Sequence, residues 1–434
     1  MYALVLALAS SLASTPFGIG LFVAAVCLSY ANGRLALIFL FASGFLPYLW
    51  GVPALQGYLA VVALFPVVLF NFRRAVSLLP QAFVLLVLSI GCLIFVTYPI
   101  HKAVDLQLLG FSMLAAVIAC YLVRKWQLDC RTVLRDVFAS VSVALLIPLL
   151  TNSVAVIYSP FWQDRHIGYF AIGRFSVAFV EPNSVGAYLA ATFAIGLCFY
   201  RFVGFLQLAA YSAFSVALLY GINLTGSRTA LAFAVVALAI AIVASVARSG
   251  RSSSNGFMSW PSVRVLSLSV VSVALLGGIA YIGVAGALPG GVERLMGTAA
   301  IEDTGRPKSF RDAAPFFDSI PLAGQNLPEY VLHSAPHTPH FSPLAALLFL
   351  GLPIVLLLYA LIAIPILDFV SGSKIGTAPV LAAMIASLFL IMLPLPITSD
   401  RGTLVLVGVW FALSRLPGFA FRGAETNRVP SLSP

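Results

Sequence analysis

Apolar runs close to the length that crosses a bilayer recur along almost the whole chain, at 35–50, 57–72, 79–98, 106–123, 134–152, 183–201, 204–223, 229–247, 264–286, 341–366, 377–396 and 402–416. A membrane-crossing helix needs ~20 consecutive, mostly apolar residues. Composition removes the soluble alternative: 61% of the 434 residues are hydrophobic and 9% are charged, whereas a soluble domain carries about 25% charged residues. The expected fold is all-α, a polytopic integral membrane protein of about 12 (12–14) transmembrane helices packed as one body over 1–416.

The first apolar stretch, 2–30, is interrupted by Ser10, Ser11, Ser14, Thr15, Pro16 and Gly18, and reads as one long span or a tight pair of short ones. It has no basic start before its apolar run, which argues against a cleaved signal peptide. Lys and Arg placement sets the orientation. With Arg73 and Arg74 in the cytoplasm, alternation puts Arg34, Arg124, Lys125, Arg131, Arg135, Arg201, Arg248, Arg251, Arg264, Lys374, Arg415, Arg422 and Arg428 there too, 15 of the 24 basic residues. Two outer segments follow, 153–182 and the large loop 287–340, whose stretch 309–319 is expected to hold a short interfacial helix. The polar tail 417–434 reads as disordered and cytoplasmic.

The net charge of +10 is therefore mostly a topology signal. No basic face is interleaved with exposed aromatics, so nucleic acid is not an expected partner. The five cysteines, Cys27, Cys92, Cys120, Cys130 and Cys198, fall in spans or on the cytoplasmic side, so neither a disulfide nor a cysteine metal site is expected. The sequence has no Walker phosphate loop, H-E-x-x-H motif or G-x-S-x-G elbow.

What remains is a one-sided set of ionisable groups. Arg174, Arg228, Arg306, Arg311, Arg401 and all five histidines fall on the outer side, where ionisable groups at a membrane boundary point to function. Arg228, in LTGSRTALA, sits at the outer start of a span. A lone arginine there could simply snorkel to headgroups, but a helix N-terminus beside a guanidinium fork suits a phosphate. Arg306 and Arg311 lie in the long loop, where Asp303, Asp312 and Asp318 could pair with them as solvated surface charges. His333, His337 and His340 have H-x3-H-x2-H spacing, but Pro336 and Pro339 break the helix that would align the rings, and no Cys or close carboxylate completes a zinc set. His340 precedes a long apolar helix, whose dipole disfavours imidazolium and keeps a general base neutral; a plain interfacial histidine is the competing reading. Arg174 lies ahead of Glu181-Pro182-Asn183, which could be no more than a start signal for the span at 183–201. Asp400 could neutralise Arg401.

These pieces resemble the bacterial O-antigen ligase and O-antigen polymerase superfamily, glycosyltransferases of the inner (cytoplasmic) membrane. Gly173–Asn183 resembles the family's Arg…Asn-Pro-Asn entry segment, with Glu181 in place of the first Asn. Ser227-Arg228 resembles its Ser-Arg at a span start, and Gly305-Arg306 with Pro321-Leu322-Ala323-Gly324 its Gly-Arg…Pro-Leu-x-Gly loop. His340 resembles its periplasmic His ahead of a Gly-Leu span, here Gly351-Leu352; Phe341 and Ile354 depart from the family's usual residues.

The resemblance implies transfer of a glycan from undecaprenyl pyrophosphate to an acceptor hydroxyl at the periplasmic face, the acceptor being a lipid A core sugar or a growing polysaccharide. His340, Arg228 and Arg306 are the implied catalytic groups, with Arg174, Arg311, His337 and Arg401 as substrate-binding candidates. The transfer is expected to invert the anomeric centre and to need no metal and no cofactor. The rival reading is a flippase or exporter of lipid-linked oligosaccharide, although spans nearly bare of charge offer little polar path across the bilayer.

Overall fold

The computed structural model describes residues 2, 16–42, 56–97, 104–150, 182–199, 205–225, 227, 230–239, 243, 342–372 and 401–414. Among them every regular element is an α-helix and none is a strand. In chain order the helices are α1 (Pro16–Ala31), α2 (Gly33–Ala42), α3 (Gln56–Leu69), α4 (Phe72–Leu78), α5 (Gln81–Thr97), α6 (Val104–Lys125), α7 (Cys130–Leu150), α8 (Pro182–Phe199) and α9 (Phe205–Leu224). They are followed by α10 (Ala230–Ala239), α11 (Ser342–Gly372) and α12 (Arg401–Ser414). The expected spans at 264–286 and 377–396, the loop 287–340 with its short helix, the segment 153–181 and the tail 417–434 lie outside the described residues.

Where expected spans and helices can be compared, existence and rough bounds agree, and the departures have local causes. The ambiguous first stretch contains a separate helix, α1, which meets α2 at Asn32. The Asn32 side chain accepts a hydrogen bond from the Arg34 amide at 2.9 Å, capping the start of α2. The expected span 57–72 does not run straight: α3 stops at Leu69, and α4 leaves at an angle of 94° to it. Pro66 deletes one backbone donor inside α3. One turn later Asn71 returns its side-chain amide to the Val67 carbonyl at 3.0 Å, satisfying an end carbonyl and closing the helix.

The expected span 341–366 is likewise interrupted. Within α11, Gly351 takes φ 76 and ψ 163, a backbone region essentially confined to glycine. Pro353 follows two residues later and suits the first turn of the renewed helix, where its missing N–H is not needed. Among the described residues Gly351–Asp368 is the one helical segment long and apolar enough to cross a membrane alone, and the bent α3–α4 pair passes the same test jointly.

Close helix approach, through small residues, organises the packing. The central element is α12, where Val405, Leu406, Val407, Val409, Trp410, Phe411, Ala412 and Leu413 are all buried. It lies against α6 so tightly that a Cβ on Gly408 would come within 2.1 Å of the Ala116 carbonyl oxygen. Helices α5 and α11 also pack on this centre, while α2, α7, α8 and α9 form the neighbouring side of the bundle.

Candidate functional site

Pairwise contacts fix which helix ends lie together. At one end, Arg34 at the start of α2 forms a two-pronged ion pair with Asp136 near the start of α7, at 2.7 and 2.8 Å. Arg135 approaches the same carboxylate at 3.4 Å. The pair raises the Arg34 pKa, chiefly through its hydrogen bond to Asp136. Arg74, in α4, lies near Tyr121 at the end of α6, and Lys125 sits over the same ring at 5.5 Å from its centroid. These basic groups occupy what may be termed the basic end of the bundle.

The remaining helices can be oriented from this reference. Phe411 near the end of α12 meets Phe83 at the start of α5, with ring centroids 4.9 Å apart, just beyond α4. Helix α12 therefore runs toward the basic end, and its first residue, Arg401, lies at the other end. Gly196, late in α8, faces the Phe138 ring of α7, one helical turn or less from Asp136. At the opposite end of α8, the Tyr188 hydroxyl reaches the Phe41 carbonyl at 3.5 Å, at the far end of α2 from Arg34. Pro182 and Asn183 thus begin α8 at the end remote from the Arg34–Asp136 pair.

The junction of α9 and α10 shares that remote end. A Cβ on Gly186 would stand 2.8 Å from Thr225 Oγ1, 2.9 Å from Ser227 Cβ and 3.1 Å from Ala230 Cβ. Only glycine lets the start of α8 lie this close to the start of α10. The junction itself is built from short polar side chains that are buried: Asn223, Thr225 and Ser227 are each 2% exposed or less. The Thr225 hydroxyl donates to the Ile222 carbonyl at 2.6 Å and accepts the Ser227 amide at 3.2 Å. Ser227 then caps α10, its Oγ accepting the Ala230 amide at 3.4 Å and its carbonyl accepting the Leu231 amide at 3.1 Å. A turn closed by its own side chains needs no water, which is why these polar residues can be buried.

The starts of α8, α10 and α12 are therefore gathered at one end of the bundle, opposite the basic end. Each helix start turns the positive pole of its dipole in the same direction. Of the site residues expected from sequence, Arg401 is the first residue of α12. Arg174, Arg228, Arg306, Arg311, His337 and His340 lie outside the described residues. Arg228 follows the capping Ser227 directly in sequence, and α11 begins two residues after His340. The sequence reading missed Gly186, Thr225 and the Gly351 break. The signals were the small residue early in a span start, the hydroxyl-glycine-hydroxyl turn Thr225–Gly226–Ser227, and Gly351-Leu352-Pro353 inside an apolar run.

No family model matches the chain, and no curated protein matches it either.

Proposed function

We propose that the chain is a polytopic membrane glycosyltransferase with about 12 (12–14) spans, resident in the bacterial inner membrane, of the O-antigen ligase or polymerase type. It moves a glycan from undecaprenyl pyrophosphate to an acceptor sugar hydroxyl at the periplasmic face. The observation that carries the reading is the gathering of the α8, α10 and α12 starts at the end opposite the Arg34–Asp136 pair. Pro182-Asn183, Ser227-Arg228 and Arg401 belong to those starts, or adjoin them, in sequence. Three helix N-termini and several guanidinium groups suit a diphosphate, which carries most of its charge on non-bridging oxygens.

In this mechanism the acceptor hydroxyl oxygen attacks the anomeric carbon in line with the bond to pyrophosphate. The new glycosidic bond forms as the carbon–oxygen bond to phosphate breaks, which inverts the anomeric centre. His340 takes the hydroxyl proton, a contribution of roughly 10²–10⁴-fold for a well-placed base. Arg228 and Arg306 stabilise the departing undecaprenyl pyrophosphate. Preorganised donors of this kind contribute about 3–4 kcal/mol each where a single one has been removed. Arg174, Arg311, His337 and Arg401 bind substrate. The acceptor is a lipid A core sugar or a growing polysaccharide.

The test is transfer by purified protein from an undecaprenyl-pyrophosphate glycan to candidate acceptors, with and without EDTA. EDTA-resistant transfer that falls at least a hundredfold in His340→Ala and Arg228→Ala, with unchanged folding, is the expected outcome. Wild-type turnover in His340→Ala would remove it as the base. Vesicle transport that survives both changes with no transfer at all would replace the enzyme with a carrier.

A further inference from the structure

We infer that the basic end carries a binding site for an anionic phospholipid, formed where α4 turns across the end of α6. The inference rests on the chain residing in a membrane and is independent of the transfer reaction. After Leu69 the chain bends by 94°, so α4 crosses the direction of α3 instead of extending it. The bend leaves Phe70 and Phe72 exposed, at 84% and 61%, on either side of Asn71. Arg74 is exposed on the same short helix. A helix lying across the end of a bundle, with aromatic rings and cations both uncovered, has the chemistry of the bilayer interface, where rings enter the acyl region and cations meet headgroups.

The cationic part is more than a scatter of charges. The helix that carries Arg74 packs on α6, and at the end of α6 the Lys125 ammonium lies 5.5 Å from the Tyr121 ring and 6.0 Å from the Trp126 ring. Cations from two packed helices thus stand at this end of the bundle. The Tyr121 ring is fully buried, and among the described residues its hydroxyl has no hydrogen-bond partner. A buried hydroxyl without a partner costs about 1–3 kcal/mol, and an added acceptor would remove that cost. A phosphate oxygen is such an acceptor. The flexible Lys125 side chain can swing from the ring onto the phosphate, while Arg74 supplies a second, two-pronged contact. The adjoining exposed Phe70 and Phe72 identify the ligand as an amphiphile whose acyl chains run beside its phosphate.

The experiment is native mass spectrometry of the full chain released from nanodiscs of phosphatidylglycerol or of phosphatidylcholine. The wild type is expected to retain phosphatidylglycerol in preference to phosphatidylcholine. Arg74→Gln with Lys125→Gln should lower that retention by about tenfold to thirtyfold, since each basic residue near an anionic surface is worth roughly a factor of five. Arg74→Lys with Lys125→Arg should keep it. Tyr121→Phe, which leaves the ring packing in place, should lower retention several-fold without lowering the thermal midpoint. Equal retention of the two lipids by the wild type, or undiminished phosphatidylglycerol retention in Tyr121→Phe and the Gln variant, would overturn the inference. Displacement of phosphatidylglycerol by inorganic phosphate alone would assign the contact to a free anion and overturn it as a lipid site.

Discussion

Gly186 shows how a single hydrogen atom in place of a methyl group can set the geometry of a site. A Cβ there would press on Thr225 Oγ1 at 2.8 Å and on Ser227 Cβ at 2.9 Å, and both neighbours belong to a turn tied by its own hydrogen bonds. Neither can yield without loosening the cap on α10. Gly186→Ala is therefore expected to cost about 1–3 kcal/mol, as overpacking usually does, and to separate the starts of α8 and α10. In the transfer assay it should depress turnover more than Gly110→Ala, which meets nothing within 4 Å. Equal effects would mean that the α8–α10 junction has no special part in the reaction. Arg34 and Asp136 offer a structural counterpart at the basic end. The carboxylate side chain is 7% exposed and the guanidinium 43%. Arg34→Ala should then destabilise by about 2 kcal/mol in denaturant titration, between an exposed pair near 1 and a buried one at 3–5. None of these pairings was legible in the sequence. Asp136 stands 102 residues from Arg34, and a lone acidic residue at the start of an apolar run gives no hint of its partner.

Elements were far more legible than contacts. Apolar runs bounded by polar and basic residues marked the existence and rough bounds of α5, α6, α7, α8, α9 and α12, because length and composition together signal such helices. Breaks inside apolar runs were not legible, since hydropathy ignores backbone geometry. The run 57–72 conceals the bend at Phe70 and Asn71, although Pro66 and Asn71 are both there to be read. The run 341–366 conceals Gly351. That residue yields a prediction of its own. Any side chain at φ 76, ψ 163 is strained by about 1–3 kcal/mol. Gly351→Ala should lower the thermal midpoint measurably, whereas Gly91→Ala, which meets nothing within 4 Å, should leave it in place. If the two variants melt alike, the break at Gly351 is not a fixed feature of α11.

At the scale of the whole molecule, the two ends of the bundle differ in kind. One gathers Arg34, Arg74, Lys125 and Arg135 around aromatic rings and one buried carboxylate. The other gathers helix starts, a self-satisfied polar turn and close glycine contacts. Arg34, Arg74, Lys125 and Arg135, which the sequence reading assigned to one side, sit at one end of the bundle. What the sequence could not supply was the close approach at Gly186 that sets the start of α8 against Thr225 and Ser227. The central claim is that the outer arginines and His340 line one extracytoplasmic pocket that takes a lipid-linked diphosphate. Single cysteines introduced at 183, 228, 340 and 401 in a cysteine-free background, labelled in sealed vesicles with a membrane-impermeant maleimide, test it most directly. All four should react from the same side, opposite to cysteines at 34 and 125, and undecaprenyl pyrophosphate should slow the reaction at 228 and 340. Labelling of 228 or 340 from the side that exposes 125, or rates unchanged by the lipid, would contradict the account.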